Sequence, residues 1–444
     1  MFALKFATKK QQAVLAASLT LGSVFFTAPA SAVVDPVILT FSTVGDSRQD
    51  PLKPDASLKK SAMIGVGNCQ VPYAISNGAT PPVYDISGTT PNPGLSGQDC
   101  KWLQNSTAWS RIMRTIQSQK SQLLFFNGDM IMGYAKAGVP VTRNTANTAN
   151  AASSEVAITS PTITDVLNAD IMQVYKQYGF WRGMVATLME TGTYVVPVPG
   201  NHETQCSRCG KTAQVENENA WRDNMGDLIL DTARFTTLVG TAPTNFTSLP
   251  ASANTADGLT TDQSQLSYSF DIGQSHFAII NTDPVGHDGY APTNWLEADL
   301  TAAEGRGVKR HFVFGHKPYK FYNFATSTGP SSTSSLFDKN NTAGNTFWTT
   351  INNHKATYFC GHEHIYNVSK PASDSYQVLV GAGGSPFENT NATVTPTPVS
   401  DRMYSWATVK VFQSGAVQLD TWGFDPTLTA PIQHLESVPL THLP

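Results

Sequence analysis

The chain has 444 residues, 14% of them charged, with 29 Lys and Arg against 33 Asp and Glu and a formal net charge of −4. A hydrophobic content of 40%, including 22 Phe, 14 Tyr and 8 Trp, supports a sizeable core and excludes a disordered chain. The slightly negative charge excludes a nucleic-acid binder working by bulk electrostatics, and five cysteines are too few for a disulfide scaffold.

In chain order, residues 1–32 read as a secretory signal peptide. Lys5, Lys9 and Lys10 give a basic start, Ala13 to Phe26 an apolar run, and Ala30-Ser31-Ala32 a small-residue cleavage site. The run is shorter than the roughly 20 residues of a spanning helix, and no later segment is apolar enough to span. The expected product is exported, secreted or periplasmic, soluble and mildly acidic, with one domain over 33–430 and a C-terminal tail over 431–444.

Val37 to Val44 is a β-branched run that stops at Gly45-Asp46. Residues 49–100 are irregular and rich in Pro, Gly and Ser. Trp102, Trp109, Ile112, Met113 and Ile116 then recur at helical spacing. Leu123 to Phe126 ends at Asn127-Gly128-Asp129, residues 141–164 read as a surface insertion, and Asp165 to Glu190 as helix. Thr193 to Val198 closes at Gly200-Asn201-His202-Glu203. Further strands are expected at Leu266–Asp271, His276–Asn281, His311–Phe314 (ending at Gly315-His316), Ala356–Cys360 (ending at Gly361-His362-Glu363-His364), Tyr376–Val380, Tyr404–Phe412 and Ala416–Thr421. Helices are expected at Thr293–Ala303 and Phe347–Asn352. The alternation points to a layered α/β fold.

Exported cysteines can pair. Cys69 and Cys100 would staple a long loop, Cys206 and Cys209 read as a local loop disulfide, and Cys360, in a strand-like run, as a buried free thiol.

Five strand ends thus carry Asp46, Asp129, Asn201, His316 and His362. A single Gly-Asp or Gly-His is turn punctuation more often than chemistry. Five in order, each after an apolar run, fall where open α/β sheets place their sites.

This ordered set resembles the calcineurin-like metallophosphoesterases, with weaker echoes of the purple-acid-phosphatase branch in Tyr268-Ser269-Phe270, Trp295-Leu296 and His316-Lys317-Pro318. The resemblance spans roughly residues 37–421. It implies a four-layer α/β/β/α sandwich, two mixed sheets flanked by helices, with a dinuclear metal site at the strand C-terminal ends. By the same resemblance one ion is held by Asp46, Asp129 and His364 and the other by Asp129, Asn201, His316 and His362. His202 is the general acid or a phosphate holder. The implied reaction is hydrolysis of a small phosphorylated substrate by in-line attack of a metal-bound hydroxide. Mixed Asp, Asn and His ligands suit Fe, Mn or Zn.

Two positions depart from the pattern. Arg48 stands where a metal-binding His is usual, and a guanidinium does not ligate metals, so the first ion is expected to be weaker, to take an extra water or to be exchangeable; Arg48 itself either clamps a phosphate oxygen or ties the loop by a salt bridge. Met132 stands where the purple branch has a ligand tyrosine, and Tyr134 is two positions late, so no tyrosinate–iron colour is expected. Glu203 and Glu363 are expected to orient ligand loops, His276, His311 and His354 to be structural, and His287 to lie on a loop able to face the site. The insertions at 49–100, 135–165, 204–265 and 320–345 would set substrate choice, with Cys206 to Trp221 lining the entrance. The competing class is an exported binding or structural protein that keeps the fold with impaired catalysis. A serine hydrolase lacks its Gly-x-Ser-x-Gly, and a nucleotide binder its glycine-rich phosphate loop.

Overall fold

The computed structural model describes residues 35–49, 97–138, 141–142, 156–167, 169–250, 256–320, 335–372, 374–385, 403–424 and 431–441, with two-residue strands at 73–74 and 84–85. The expected signal peptide and the Cys69–Cys100 staple lie outside the described residues, as do most of the 49–100 insertion and much of 320–345. The chain divides between Asp35 and Pro36, and the fold below is that of the second unit.

The elements that position the site run β1 (Val37–Val44), α1 (Gly97–Ser118), β2 (Leu123–Asn127), α2 (Asp170–Glu190), β3 (Tyr194–Val198), α3 (Val215–Met225), α4 (Thr232–Val239), β4 (Thr244–Ser248), β5 (Tyr268–Ile272), β6 (Ser275–Ile279), α5 (Thr293–Gly305), β7 (Arg310–Phe314), α6 (Asn341–Asn353), β8 (Thr357–Cys360), β9 (Tyr366–Ser369), β10 (Gln377–Val380), β11 (Tyr404–Phe412), β12 (Val417–Phe424) and β13 (Gln433–Pro439). They form two mixed sheets, of order β13-β12-β11-β1-β2-β3 and β4-β5-β6-β7-β8-β10-β9. The chemistry-bearing strands lie among the parallel ones: β1, β2 and β3 in the first sheet, and β7 and β8 in the second, flanked in parallel by β6 and β10.

Alternation along each strand builds the layers. Phe125 of β2 points to the second sheet and stacks on Phe314 at 3.9 Å between centroids. Its neighbour Phe126 points the other way, onto Trp109 of α1 and Trp181 of α2. Phe41 of β1 meets Phe277, Phe312, Phe314 and Phe359 edge-on at 5.1 to 6.0 Å, so the sheet-to-sheet core is largely phenylalanine. A second cluster, with Val313, Leu296, Leu300, Phe347 and Tyr358, packs α5 and α6 on the outer face of the second sheet. Two sheets between outer helices are the four-layer sandwich expected from the sequence.

Three elements correct the sequence reading. The segment 431–444, expected as a tail, carries β13, which pairs antiparallel with β12 and half-buries Leu435 and Val438. Its polar residues concealed a strand whose two apolar side chains suffice at a sheet edge. The insertion 204–265 contains α3 and α4, and Trp221 of α3 is fully buried in the core with its Nε1 donating to the Gln265 carbonyl, so Trp221 itself lines no entrance. Asp165 to Glu190 is two helices, a short one over Ile163–Leu167 and α2. Cys206 and Cys209 are bridged, with Cα atoms 5.1 Å apart, and Cys360 is a buried free thiol. No described helix is long and apolar enough to cross a membrane.

Candidate metal centre

Each strand end delivers its residue through a tight turn. Asp46 and Arg48 follow β1, Asp129 follows β2, and Asn201 and His202 open the helical turn Asn201–Thr204 after β3. His316 follows β7, and His362 and His364 follow β8. Asp46, Arg48, Asp129, Tyr134 and His362 all have positive φ, between 43° and 74°. Such left-handed non-glycine residues cluster where a structure holds side chains against local preference. The motif glycines make room for ligands from other strands. A Cβ on Gly200 would stand 2.5 Å from Asp129 Oδ1, and one on Gly361 2.3 Å from Asp46 Oδ2.

The residues converge as two groups that share one carboxylate. Asp129, His316 and His362 form one, and Asp46, Asp129 and His364 the other; within each, the possible donor atoms lie within 4.8 Å of one another. In the first group His316 Nε2 is 3.1 Å from Asp129 Oδ1 and 2.8 Å from Asn201 Oδ1. His362 Nδ1 is 2.9 Å from the same Asn201 oxygen and 3.2 Å from His316 Nε2. In the second, His364 Nε2 is 3.6 Å from Asp46 Oδ1. The six residues named as ligands from the sequence are thus brought together.

The donor set fits metal ions. Two nitrogen lone pairs facing one another gain nothing without a proton or a cation between them, and Asp46 Oδ1 is fully buried and accepts no hydrogen bond from the described residues, which is costly for a carboxylate. Burial holds the Asp46 carboxyl well above its ordinary range. Burial works the same way on Asp129, but His202, His316 and Arg48 around it hold its carboxyl well below that range. Burial opposes charge on His316, yet Asp129, reinforced by Asp46, raises it to about 9. Burial, with the charges of His316 and Lys317, holds His362 well below its ordinary value. The proton on His316 therefore occupies the place of a cation, and metal binding would release it.

His202 sits beside this group. Its Nδ1 lies 2.6 Å from the Met132 carbonyl, which only accepts, so Nδ1 carries the hydrogen and Nε2 faces Asp129 Oδ2 at 3.5 Å. Burial first, then Arg48, lowers its pKa to about 3, so the ring is neutral. Arg48 places both Nη2 and Nε on Asp129 Oδ2, at 3.2 and 3.4 Å, which is the salt-bridge alternative of the sequence reading. Glu203 binds no ligand group. It accepts from the backbone N–H groups of Gly200, Asp129 and Ile131 at 2.8 to 3.1 Å and so clamps two ligand loops together, as expected.

Tyr134 is the functional residue that sequence reasoning passed over. Its ring lies 3.8 Å from the His202 ring, and its hydroxyl accepts a hydrogen bond from Asn201 Nδ2. Burial, then the Asp129 charge, holds its phenol well above the ordinary value. Gly133 permits the approach: a Cβ there would collide with the His202 carbonyl, which accepts from Tyr134 N at 3.0 Å. The available signal was a tyrosine a few residues beyond Gly128-Asp129 behind a glycine. His287 stacks on Tyr290 at 4.5 Å and reaches the Gly258 carbonyl. The nearby buried cluster of Lys317, Asp283, Asp288 and Gln205 ties the loops after β3, β6 and β7 to one another. Burial, only partly offset by Lys317, pushes Asp283 up to about 6.

No protein-family model and no curated protein matches the chain. Among solved structures it is similar to purple acid phosphatase PPD1 from yellow lupin (Lupinus luteus) seeds, at 12% identity and a TM-score of 0.46, covering 90% of this chain and 53% of that one. It is also similar to a dimetal phosphatase from Danio rerio, at 11% identity and a TM-score of 0.44, covering 92% of this chain and 100% of that one. GAP50, the anchor in the inner membrane complex of Plasmodium, follows at 10% identity and a TM-score of 0.40, covering 91% and 89%. The chain spans about half the length of the lupin protein.

Proposed function

We propose that this chain is an exported metal-dependent phosphoesterase that hydrolyses phosphate mono- or diesters by in-line attack of water. The observation that carries the reading is Asp129, one buried carboxylate belonging to two ligand sets at once. Two ions bound there would neutralise the phosphoryl oxygens and activate the attacking water. Asp46, Asp129 and His364 would hold one, and Asp129, Asn201, His316 and His362 the other.

The chain's own groups do the rest. The Met132 carbonyl locks the His202 tautomer, so Nε2 is the atom that exchanges a proton with the leaving-group oxygen. Because the ring is neutral, Nε2 would take that proton from solvent before the step and give it to the leaving-group oxygen. Tyr134 and the Glu203 clamp keep Asn201 and His202 in place, and Arg48 offers N–H donors to a phosphoryl oxygen beside Asp129.

The test is phosphate release from an aryl phosphate mono- and diester, beside elemental analysis of the purified protein. Chelation abolishes turnover, and Mn, Zn or Fe restores it. Asn201→Ala and His202→Ala each lower turnover by about 10²–10⁴-fold with the circular dichroism spectrum unchanged; wild-type rates in both variants sink the assignment. A second reading, an exported binding or structural protein with impaired catalysis, is favoured by the Arg48–Asp129 ion pair alone. It expects full metal occupancy with no activity on either ester class.

A further inference from the structure

The two ligand sets are unequal. Around Asn201 the donor atoms already stand 2.8 to 3.2 Å apart. Donors at about 2.1 Å from one tetrahedral ion are separated by about 3.4 Å, so this half, with four donor residues, needs only a small expansion to hold an ion. Around Asp46 only three residues converge, Asp46, Asp129 and His364, with Asp46 Oδ1 at 3.6 Å from His364 Nε2.

The two oxygens of Asp129 are also divided. Oδ1 faces His316 at 3.1 Å and accepts from the His202 backbone N–H at 3.0 Å. Oδ2 carries the Arg48 guanidinium. A guanidinium keeps its charge, so an ion arriving on Oδ2 has to move it bodily. Its side chain is 18% exposed. The Arg48 backbone stays, held by its N–H on the Asp129 carbonyl at 2.9 Å.

We propose that the centre takes its two ions with unequal affinity. A resident ion sits on Asp129, Asn201, His316 and His362. An exchangeable ion sits on Asp46, Asp129 and His364, and Arg48 holds Asp129 Oδ2 until that ion displaces it. The protein is then latent with one ion and complete with two, so the free metal concentration sets the fraction in the working state. The displaced guanidinium is the one that turns to the phosphoryl oxygen. This inference rests on the metallophosphoesterase reading above.

Calorimetric titration of the chelator-stripped full chain with Mn²⁺ or Zn²⁺, with elemental analysis after dialysis, tests it without reference to activity. The expected result is one ion retained per chain and a second bound at least about tenfold more weakly, a gap of about 1.4 kcal/mol. Arg48→His, which supplies a donor, retains two ions. Arg48→Ala, which removes the competing charge and adds no donor, tightens the second ion and leaves the first as in the wild type. Wild-type affinities within about threefold of each other overturn the proposal while leaving the phosphoesterase reading intact, as does an unchanged second affinity in Arg48→Ala. A chain that binds no ion overturns both.

Discussion

Tyr134 reaches the centre from a turn rather than from a strand end. Its hydroxyl holds the nitrogen of the Asn201 amide, so the oxygen is left facing His316 and His362. Only that oxygen can ligate. Partners that orient metal ligands typically govern 10–100-fold in affinity or activity. Tyr134→Phe is therefore expected to weaken the ion on the Asn201 half by about 10–100-fold, read by chelator competition, while the ring keeps its contact with His202. The lost hydrogen bond should cost only about 0.5–1.5 kcal/mol of stability. An unchanged ion affinity shows that Asn201 orients itself. The ligands were legible because each directly follows an apolar strand. Tyr134 was not, because it depends on a left-handed turn and on Gly133 lying against a carbonyl from another loop. Arg48 was visible as a misfit, but its partner Asp129, 81 residues away, could not be read from local sequence.

Among the elements, β5, β6 and α5 are joined by a buried imidazole. His276 Nδ1 lies 2.6 Å from Asp271 Oδ1 and its Nε2 2.9 Å from Asp299 Oδ2. Asp271 is further held by Arg306 and Asn245, Asp299 by Ser269, and the His311 ring lies 6.1 Å away. Burial works against a charge on His276, but Asp271 and Asp299 raise its pKa above the ordinary 6.5. Burial likewise opposes charge on Asp271, yet His276, Asn245 and Arg306 lower it below 3.8. With the folded pKa of His276 raised, its contribution is complete below pH 6.5 and lost as pH rises through the folded value. With that of Asp271 lowered, its contribution is complete above pH 3.8 and lost as pH falls through the folded value. Thermal melts of wild type and His276→Gln across pH should show the largest gap in Tm between those limits, narrowing on the alkaline side. A gap independent of pH means that the imidazole acts by packing alone. The missed strand β4 has the opposite character: it reads Thr-Asn-Phe-Thr-Ser and is mostly exposed, so pairing at a sheet edge, not burial, makes it a strand.

At the scale of the molecule the centre is an interface. The first sheet supplies Asp46, Asp129 and Asn201, and the second supplies His316, His362 and His364. Metal binding at this group would therefore be coupled to folding, because the unfolded chain has no such group. An ion at 100 times its dissociation constant should add about 2.7 kcal/mol, so chelation should lower Tm in differential scanning calorimetry by an amount that grows with the free metal concentration of the reference sample. A Tm indifferent to chelator removes the ion from the folding equilibrium. The layered architecture was legible from alternating elements and motif order. The phenylalanine contacts that bring the sheets together were not, since a strand's alternation says which side chains share a face but not which sheet they meet.

The glycine fit carries this further. Asp46 Oδ2 accepts from the backbone N–H of His362, 316 residues later, at 2.9 Å, in the space that a side chain on Gly361 would fill. Strand ends meshed this closely act as a vernier between the sheets. One residue of slip along a strand is about 3.3 Å, comparable to the whole spacing of the Asn201 donor set, and it would break both ligand sets together. Ions bound across the seam would thus fix the registry of one sheet against the other, and a shear too small to disturb the phenylalanine core would register first as a change in coordination.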